Sequence, residues 1–277
     1  MRGAISYSLF GYERGRADNC FDFNSYLRGL MINIRMARLI YPGWDIILHT
    51  DGNTYEAWKH LFDKLPIKVD VHKNDVPLTL AMLWRLIPCF NIDYTHVICR
   101  DLDSPLTYRE RQAVEYWINR DKTAHAITDS VSHDTPMLGG MIGFRPQYFT
   151  QKMGVKSWGE LIRLKSGYDW SKKGADQHFL RDVVYPKFAK HGVDSITQHY
   201  VLGMPNSFLM DCHNEIQDME LDIPVALKQS NDVCGHIGAA GWYETALFKF
   251  LRDYWNEFSD LLEIEKEYSS IFYWVNE

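Results

Sequence analysis

The sequence has no arrangement of cysteines that would cross-link it. Its 5 cysteines, Cys20, Cys89, Cys99, Cys212 and Cys234, are odd in number, widely spaced and without a C-x-x-C pair. That excludes a disulfide framework and a zinc ribbon and predicts a reducing compartment. No N-x-S/T acceptor occurs, which fits a cytoplasmic chain. Long apolar runs are missing too. The longest, "LTLAMLWRLIPCF", is broken by Arg85 and Pro88, and "MRGAISYSLFGYERGR" at the N-terminus has too short an apolar stretch for a signal peptide, so no transmembrane segment is expected. Positive charge is not in excess: the net charge of -6 leaves no electrostatic footprint for nucleic acid. No internal repeat, low-complexity tract or Gly/Ser-rich linker divides the 277 residues, which suffice for one domain with an ample core.

Aromatic residues are plentiful, with 9 Trp, 16 Tyr and 14 Phe. Flat rings stack on sugars and nucleobases, but most such rings fill cores; Trp84 and Trp117 are read as core. Strand-like and helix-like patterns alternate from the start. "AISYSLFG", "DIILHTD", "IKVDVH" and "THVICRDLD" read as strands, separated by helical patterns in "YLRGLMINIRMARLIYPGW", "TYEAWKHLFDKL" and "LTLAMLWRLIP", with "RERQAVEYWINR" a further helix. This predicts an α/β chain with a mostly parallel central sheet flanked by helices, in which ligands lie beyond the carboxyl ends of the strands. "AHAIT" and "LGGMIGFR" read as later strands, "GADQHFLRDVVYPKFAKHG" as a helix interrupted by Pro186, and "GWYETALFKFLRDYWNEF" as a long amphipathic helix. A nucleotide-binding half over about residues 1–105 and an acceptor-side half over about 106–277 are expected within one domain.

Four stretches carry chemistry. In "RDLDS", Asp101 and Asp103 are two apart, so a strand continuing through them would aim both carboxylates to one side. Converging oxygen ligands suit Mg²⁺ or Mn²⁺ together with substrate phosphates; the alternative is a strand-end turn in which Asp103 or Ser104 caps the next helix. In "GHIGAAGWYE", His236 precedes Gly238 and Gly241 at an expected helix start, a place where amides approach a phosphate. In "GADQHFL", Asp176 is either a first-turn residue complementing the helix dipole or a carboxylate that accepts a proton in a cleft. In "HDTPMLGGMIGFR", Gly139 and Gly140 would let a substrate lie against backbone, or mark a structural bulge.

In this order the four stretches resemble metal-dependent GT-A glycosyltransferases of the retaining group that includes bacterial galactosyltransferases and glycogenin. "MLWRLIP", "RDLDSPLTYRERQAVEYW", "HDTPMLGGMIG" and "DQHFL" are similar in wording to bacterial and large-algal-virus (chlorovirus-type) glycosyltransferases, over roughly residues 5 to 240. The histidine-glycine turn departs from the family's H-x-x-G, and the lysine expected soon after it has no counterpart; Arg85, Arg100, Lys172 or Lys173 is then the source of that charge, unless metal and backbone alone hold the diphosphate. The resemblance implies a GT-A fold, a UDP-sugar donor, with UDP-glucose or UDP-xylose favoured, a glycan acceptor and Mn²⁺ or Mg²⁺. It assigns the metal to Asp101, Asp103 and His236. It assigns the donor to Ser8, Tyr12, Asp51, Arg85, Arg100, Gly139, Gly140 and Gly238, the acceptor cleft to Asp129, His133 and Asp134, and catalysis to Asp176 and Gln177. Arg100 has an equal alternative as the buried partner of an acidic neighbour. A sugar nucleotidyltransferase or pyrophosphorylase, and a catalytically silent sugar-binding module, are the rival functions.

Overall fold

Runs such as "DIILHTD" and "AHAIT" are buried almost end to end, the signature of strands covered on both faces. A computed structural model describes residues 2–12, 23–128, 135–189, 196–201, 217–221 and 258–276. Its strands, β1 (Gly3–Ser8), β2 (Asp45–Asp51), β3 (Lys68–His72), β4 (His96–Arg100), β5 (Ala124–Thr128), β6 (Met141–Phe144), β7 (Ile196–Val201) and β8 (Gln217–Leu221), form one sheet in the order β3-β2-β1-β4-β6-β5-β7-β8. Every pairing is parallel except those that β6 makes with β4 and β5. The expected mostly parallel, helix-flanked sheet is therefore present.

From β1 the chain moves outward to β2 and β3, then returns to place β4 on the other side of β1. That reversal makes the carboxyl ends of β1 and β4 a topological switch point, where loops diverge and leave a crevice. One face of the sheet packs on α1 (Phe23–Ile40), α4 (Tyr108–Asn119) and the C-terminal helix Ser259–Glu267 through Leu30, Ile34, Val114, Trp117 and Leu261. The other packs on the segment Met82–Phe90 and the helices α5 (Pro146–Met153) and α7 (Ala175–Phe179) through Leu86, Phe149 and Phe179. Between α1 and the C-terminal helix, Arg35 and Glu265 form a buried two-pronged pair, with Arg35 Nη2 donating to Glu265 Oε2 at 2.6 Å.

Four local outcomes differ from the sequence pattern. The helix expected over 78–88 is α-helical only as α3 (Leu78–Ala81) and then tightens into 3₁₀ geometry through Phe90, an uncommonly long run of that form. β4 ends at Arg100, so Asp101 and Asp103 lie in the turn beyond it and not on a continued strand. Gly139 and Gly140 likewise form the turn before β6. The segment Leu180–Val184 adopts a π turn just ahead of Pro186, which has no amide hydrogen to continue a regular helix. The helical pattern over 241–258 lies outside the described residues up to 257. No described helix is long and apolar enough to cross a membrane. Trp84 and Trp117 are core residues as expected, and Cys89 and Cys99 are buried free thiols.

Candidate active site

The loop after β1 is held from β2. Asp51 caps α2 (Gly52–Phe62): its Oδ1 accepts from the Thr54 amide at 2.7 Å, while Oδ2 accepts from the Gly11 amide at 2.6 Å. Both oxygens of this buried carboxylate thus fix backbone, and Tyr12 N adds a bond to Thr54 Oγ1 at 3.1 Å. Tyr12 is exposed and stands edge-on to Phe23 and Trp58, ring centroids 5.1 and 5.8 Å away. Ser8, at the carboxyl end of β1, carries a buried hydroxyl with no hydrogen-bond partner among the described residues.

Beyond β4, residues far apart in sequence converge. Arg85, buried in the 3₁₀ segment, donates through Nη1 to Asp101 Oδ1 and through Nε to the Met82 carbonyl at 2.7 Å. Burial opposes its charge, yet Asp101 and Asp176 together raise its pKa. Gly140 backs onto Asp101: a Cβ there would stand 1.9 Å from Asp101 Oδ2, so any larger residue would have to displace that carboxylate. Gly139 lies beside the Arg85 guanidinium, 3.8 Å from the position of a Cβ. Asp176, in the first turn of α7, is buried; burial raises its pKa against the opposing pull of Arg85 and the Gln177 amide, and Asp101 raises it further. Of the two sequence readings of Asp176, the structure shows the first-turn position, and the Arg85 charge also acts on its carboxylate. Gln177 is exposed.

The helix-cap alternative for Asp103 and Ser104 is not realised. Thr107 caps α4, its hydroxyl accepting from the Glu110 amide at 3.1 Å. Of the two readings of Arg100, the buried one matches the structure: its Nε pairs with the buried Glu110, and Nη1 donates to the carbonyls of Cys99 at 2.7 Å and Ile142 at 3.0 Å. The donor-binding reading of Arg100 is not matched, since the guanidinium lies inside the protein, with its Nη2 lacking a hydrogen-bond partner among the described residues. Lys172 is exposed and pairs with Asp169 at 3.7 Å, while Arg85 is the cation that pairs with Asp101 in the acidic turn. Asp129, His133, Asp134, His236 and Gly238 lie outside the described residues.

Sequence reasoning missed what holds the acidic turn. Asn33 of α1, fully buried, donates through Nδ2 to the carbonyls of Leu102 at 3.3 Å and Ser104 at 3.0 Å, and its Oδ1 accepts from the Leu106 amide at 2.9 Å. Gly29, one helical turn earlier, lets α1 approach so closely that a Cβ would lie 1.9 Å from the Leu102 carbonyl oxygen. An Asn33→Leu chain leaves three backbone groups unpaired in the interior, and the expected cost is at least about 2 kcal/mol, read as a lower urea midpoint at unchanged slope. An unmoved midpoint would show that water replaces the amide. The only sequence signal was a polar residue on the apolar face of an otherwise amphipathic helix.

Also unforeseen is a second polar group on the sheet. His49, Asp70 and His72 come together on β2 and β3, the only set of three histidine, cysteine or acidic residues among those described that lies close enough to share one ion. Burial keeps the pKa of His49 below its usual value against the pull of Asp70, and burial with His49 lowers that of His72 to about 4.

No family model matches the sequence, and no curated protein matches it. Solved structures do resemble the fold. A 4-diphosphocytidyl-2C-methyl-D-erythritol synthase from Anaerococcus prevotii is 15% identical, with 71% of this chain and 88% of that one covered at a TM-score of 0.39. A protein assigned as a nucleotide-diphospho-sugar transferase from Desulfovibrio desulfuricans is 13% identical, with 72% and 79% covered and a TM-score of 0.42. Mouse xyloside xylosyltransferase 1 is 12% identical, with 68% and 83% covered and a TM-score of 0.38.

Proposed function

We propose that this chain is a GT-A-type glycosyltransferase that moves a sugar from a UDP-sugar to a hydroxyl of a glycan acceptor. The observation that carries the reading is the convergence of Arg85, Asp101, Gly140 and Asp176 at the carboxyl end of β4, beside the switch point of the sheet. The ordered sequence resemblance supports it. Tyr12 and the rings around it would offer a face for the uracil, and the Ser8 hydroxyl an unspent hydrogen-bonding group for the nucleoside. Asp51 would act by fixing the loop that presents Tyr12. Gly139 and Gly140 would let the donor sugar lie along the backbone.

Asp101 and Asp103 offer oxygen ligands only, and the cap of α4 is Thr107, which fits a hard Mn²⁺ or Mg²⁺ ion in the turn. Such an ion would neutralise charge developing on the departing diphosphate. Arg85 would add a fixed positive charge aimed at the same oxygens and hold Asp101 in place. Asp176, deprotonated, would take the acceptor proton if configuration inverts, or with Gln177 stabilise the positive sugar carbon if it is retained.

The test is incubation of the full chain with UDP-glucose, UDP-xylose and related donors plus Mn²⁺, with a parallel set containing pyrophosphate. UDP release supports transfer. Nucleoside triphosphate formation in the pyrophosphate set identifies a nucleotidyltransferase, and donor binding without turnover a sugar-binding module. Unchanged turnover in Asp103→Ala removes the metal assignment.

Asp176→Asn separates function from stability. The raised pKa of Asp176 means that its carboxyl ionises less readily in the folded than in the unfolded chain, so its contribution to stability is present below the ordinary carboxyl value of about 4 and is lost as pH rises through the folded pKa. The Asn variant is therefore expected to unfold at higher denaturant than the parent at neutral pH, with the gap closing in acid, while transfer falls. Equal midpoints at neutral pH would contradict the burial argument.

A further inference from the structure

We propose that His49, Asp70 and His72 form a binding site for a divalent transition-metal ion of the zinc class, built from residues that the Arg85–Asp101–Asp176 cluster does not use. The inference goes beyond the proposed transfer reaction and does not rest on it.

The pairing of β2 with β3 sets His49 opposite Asp70 and Asp51 opposite His72. Partnered residues, and residues two apart on one strand, share a face, so His49, Asp70 and His72 all project to the same side. His49 Nδ1 lies 3.1 Å from His72 Nε2 and 3.4 Å from Asp70 Oδ2, and the three donor atoms lie within 4.8 Å of one another. Zinc bonds of about 2.0–2.1 Å in a tetrahedron put neighbouring ligand atoms roughly 3.3 Å apart. Two edges of such a tetrahedron therefore already have the right length.

The donor set selects the ion. Two imidazoles and one carboxylate suit Zn²⁺, Co²⁺ or Ni²⁺, whereas Mg²⁺ and Ca²⁺ favour oxygen alone. The rings are oriented by their surroundings: His72 stacks on the buried Trp84 at 4.5 Å and 29°, and on His49 at 5.3 Å and 27°. Asp70 is half-exposed while His49 is fully buried, so an ion would enter from the Asp70 side and keep its fourth position for water. Bound there, it would clip the outer strand β3 to β2 against Trp84, the residue before Arg85.

A metal-free arrangement competes, in which the His49 Nδ1–H is shared between Asp70 and His72. Cobalt titration distinguishes the two. The full chain, stripped with a chelator, is titrated with Co²⁺ while visible absorption is followed. The expected result is the intense absorption of a tetrahedral Co²⁺ site, complete at one equivalent and displaced by Zn²⁺. Asp70→Asn and His72→Gln, both at partly exposed positions, are expected to weaken it by at least about 100-fold, while Asp101→Asn leaves it intact. Far-UV circular dichroism checks that each variant is folded. Weak, octahedral-type absorption alone would overturn the proposal, as would a tight signal that survives both substitutions or that Asp101→Asn abolishes.

Discussion

An Arg85→Met chain is expected to fold and to lose about 10²–10³-fold in turnover, the usual effect of removing one fixed electrostatic group from a reacting centre. The methionine fills a similar volume, and Asp101, half-exposed, finds water in place of its lost partner. Asp176 is less fortunate, because it is buried and Arg85 is the main influence holding its pKa down. Without that cation its pKa rises further. If Asp176 acts ionised, the acid limb of the pH–rate profile then moves to higher pH in the variant. Arg85→Lys should recover part of the rate and return the limb toward its original position, since a point charge is restored without the guanidinium fork. UDP release measured across pH in all three chains is the check. A normal rate and an unmoved limb in Arg85→Met would remove Arg85 from the site.

The second large effect concerns stability. Arg100→Met leaves Glu110 buried with no opposite charge, and breaking such a pair from one side costs about 3–5 kcal/mol. At roughly 2–4 °C per kcal/mol for chains of this size, Tm is expected to fall by about 6–20 °C. Burial already raises the pKa of Glu110 even with Arg100 present. Removing the arginine raises it more, so the variant is least stable where Glu110 must ionise: the deficit grows as pH climbs through the folded pKa and shrinks below the unfolded value. The double variant Arg100→Met/Glu110→Gln removes both charges and should regain much of the loss. Thermal melts at acid and neutral pH test this, and a single variant as stable as the parent at neutral pH would show that water reaches Glu110.

Much of the sheet was legible because buried parallel strands are continuous apolar runs with sharp polar ends. "DIILHTD" and "AHAIT" occupy the expected positions residue for residue. β7 and β8 were not anticipated, since "ITQHYV" and "QDMEL" mix polar residues through their length. The turn after Arg100 was misjudged because Leu102 is apolar and buried, which extends the strand pattern past the strand itself. In the site, Arg85, Asp101, Gly140 and Asp176 were nominated from sequence wording, but their convergence depends on pairings that no local pattern encodes. Asn33 shows the limit more sharply: its partners are three backbone groups about seventy residues away, and backbone groups leave no mark in a sequence. The histidine pair was hidden for a related reason. "HTD" and "VDVH" become neighbours only when β2 and β3 align in register.

β3 has a consequence for how this protein behaves among its own copies. It is five residues long and forms one margin of the sheet among the described strands, so its outer backbone edge is a template on which another strand can pair. Lys68 and Asp70 are exposed on it, Lys68 held to Asp45 by a 2.5 Å ion pair. Shortness and charge are the features that discourage edge-to-edge association. The strand that carries two of the three proposed metal ligands is thus also the one whose charges discourage pairing with another copy, and replacing them for tighter packing would weaken that protection.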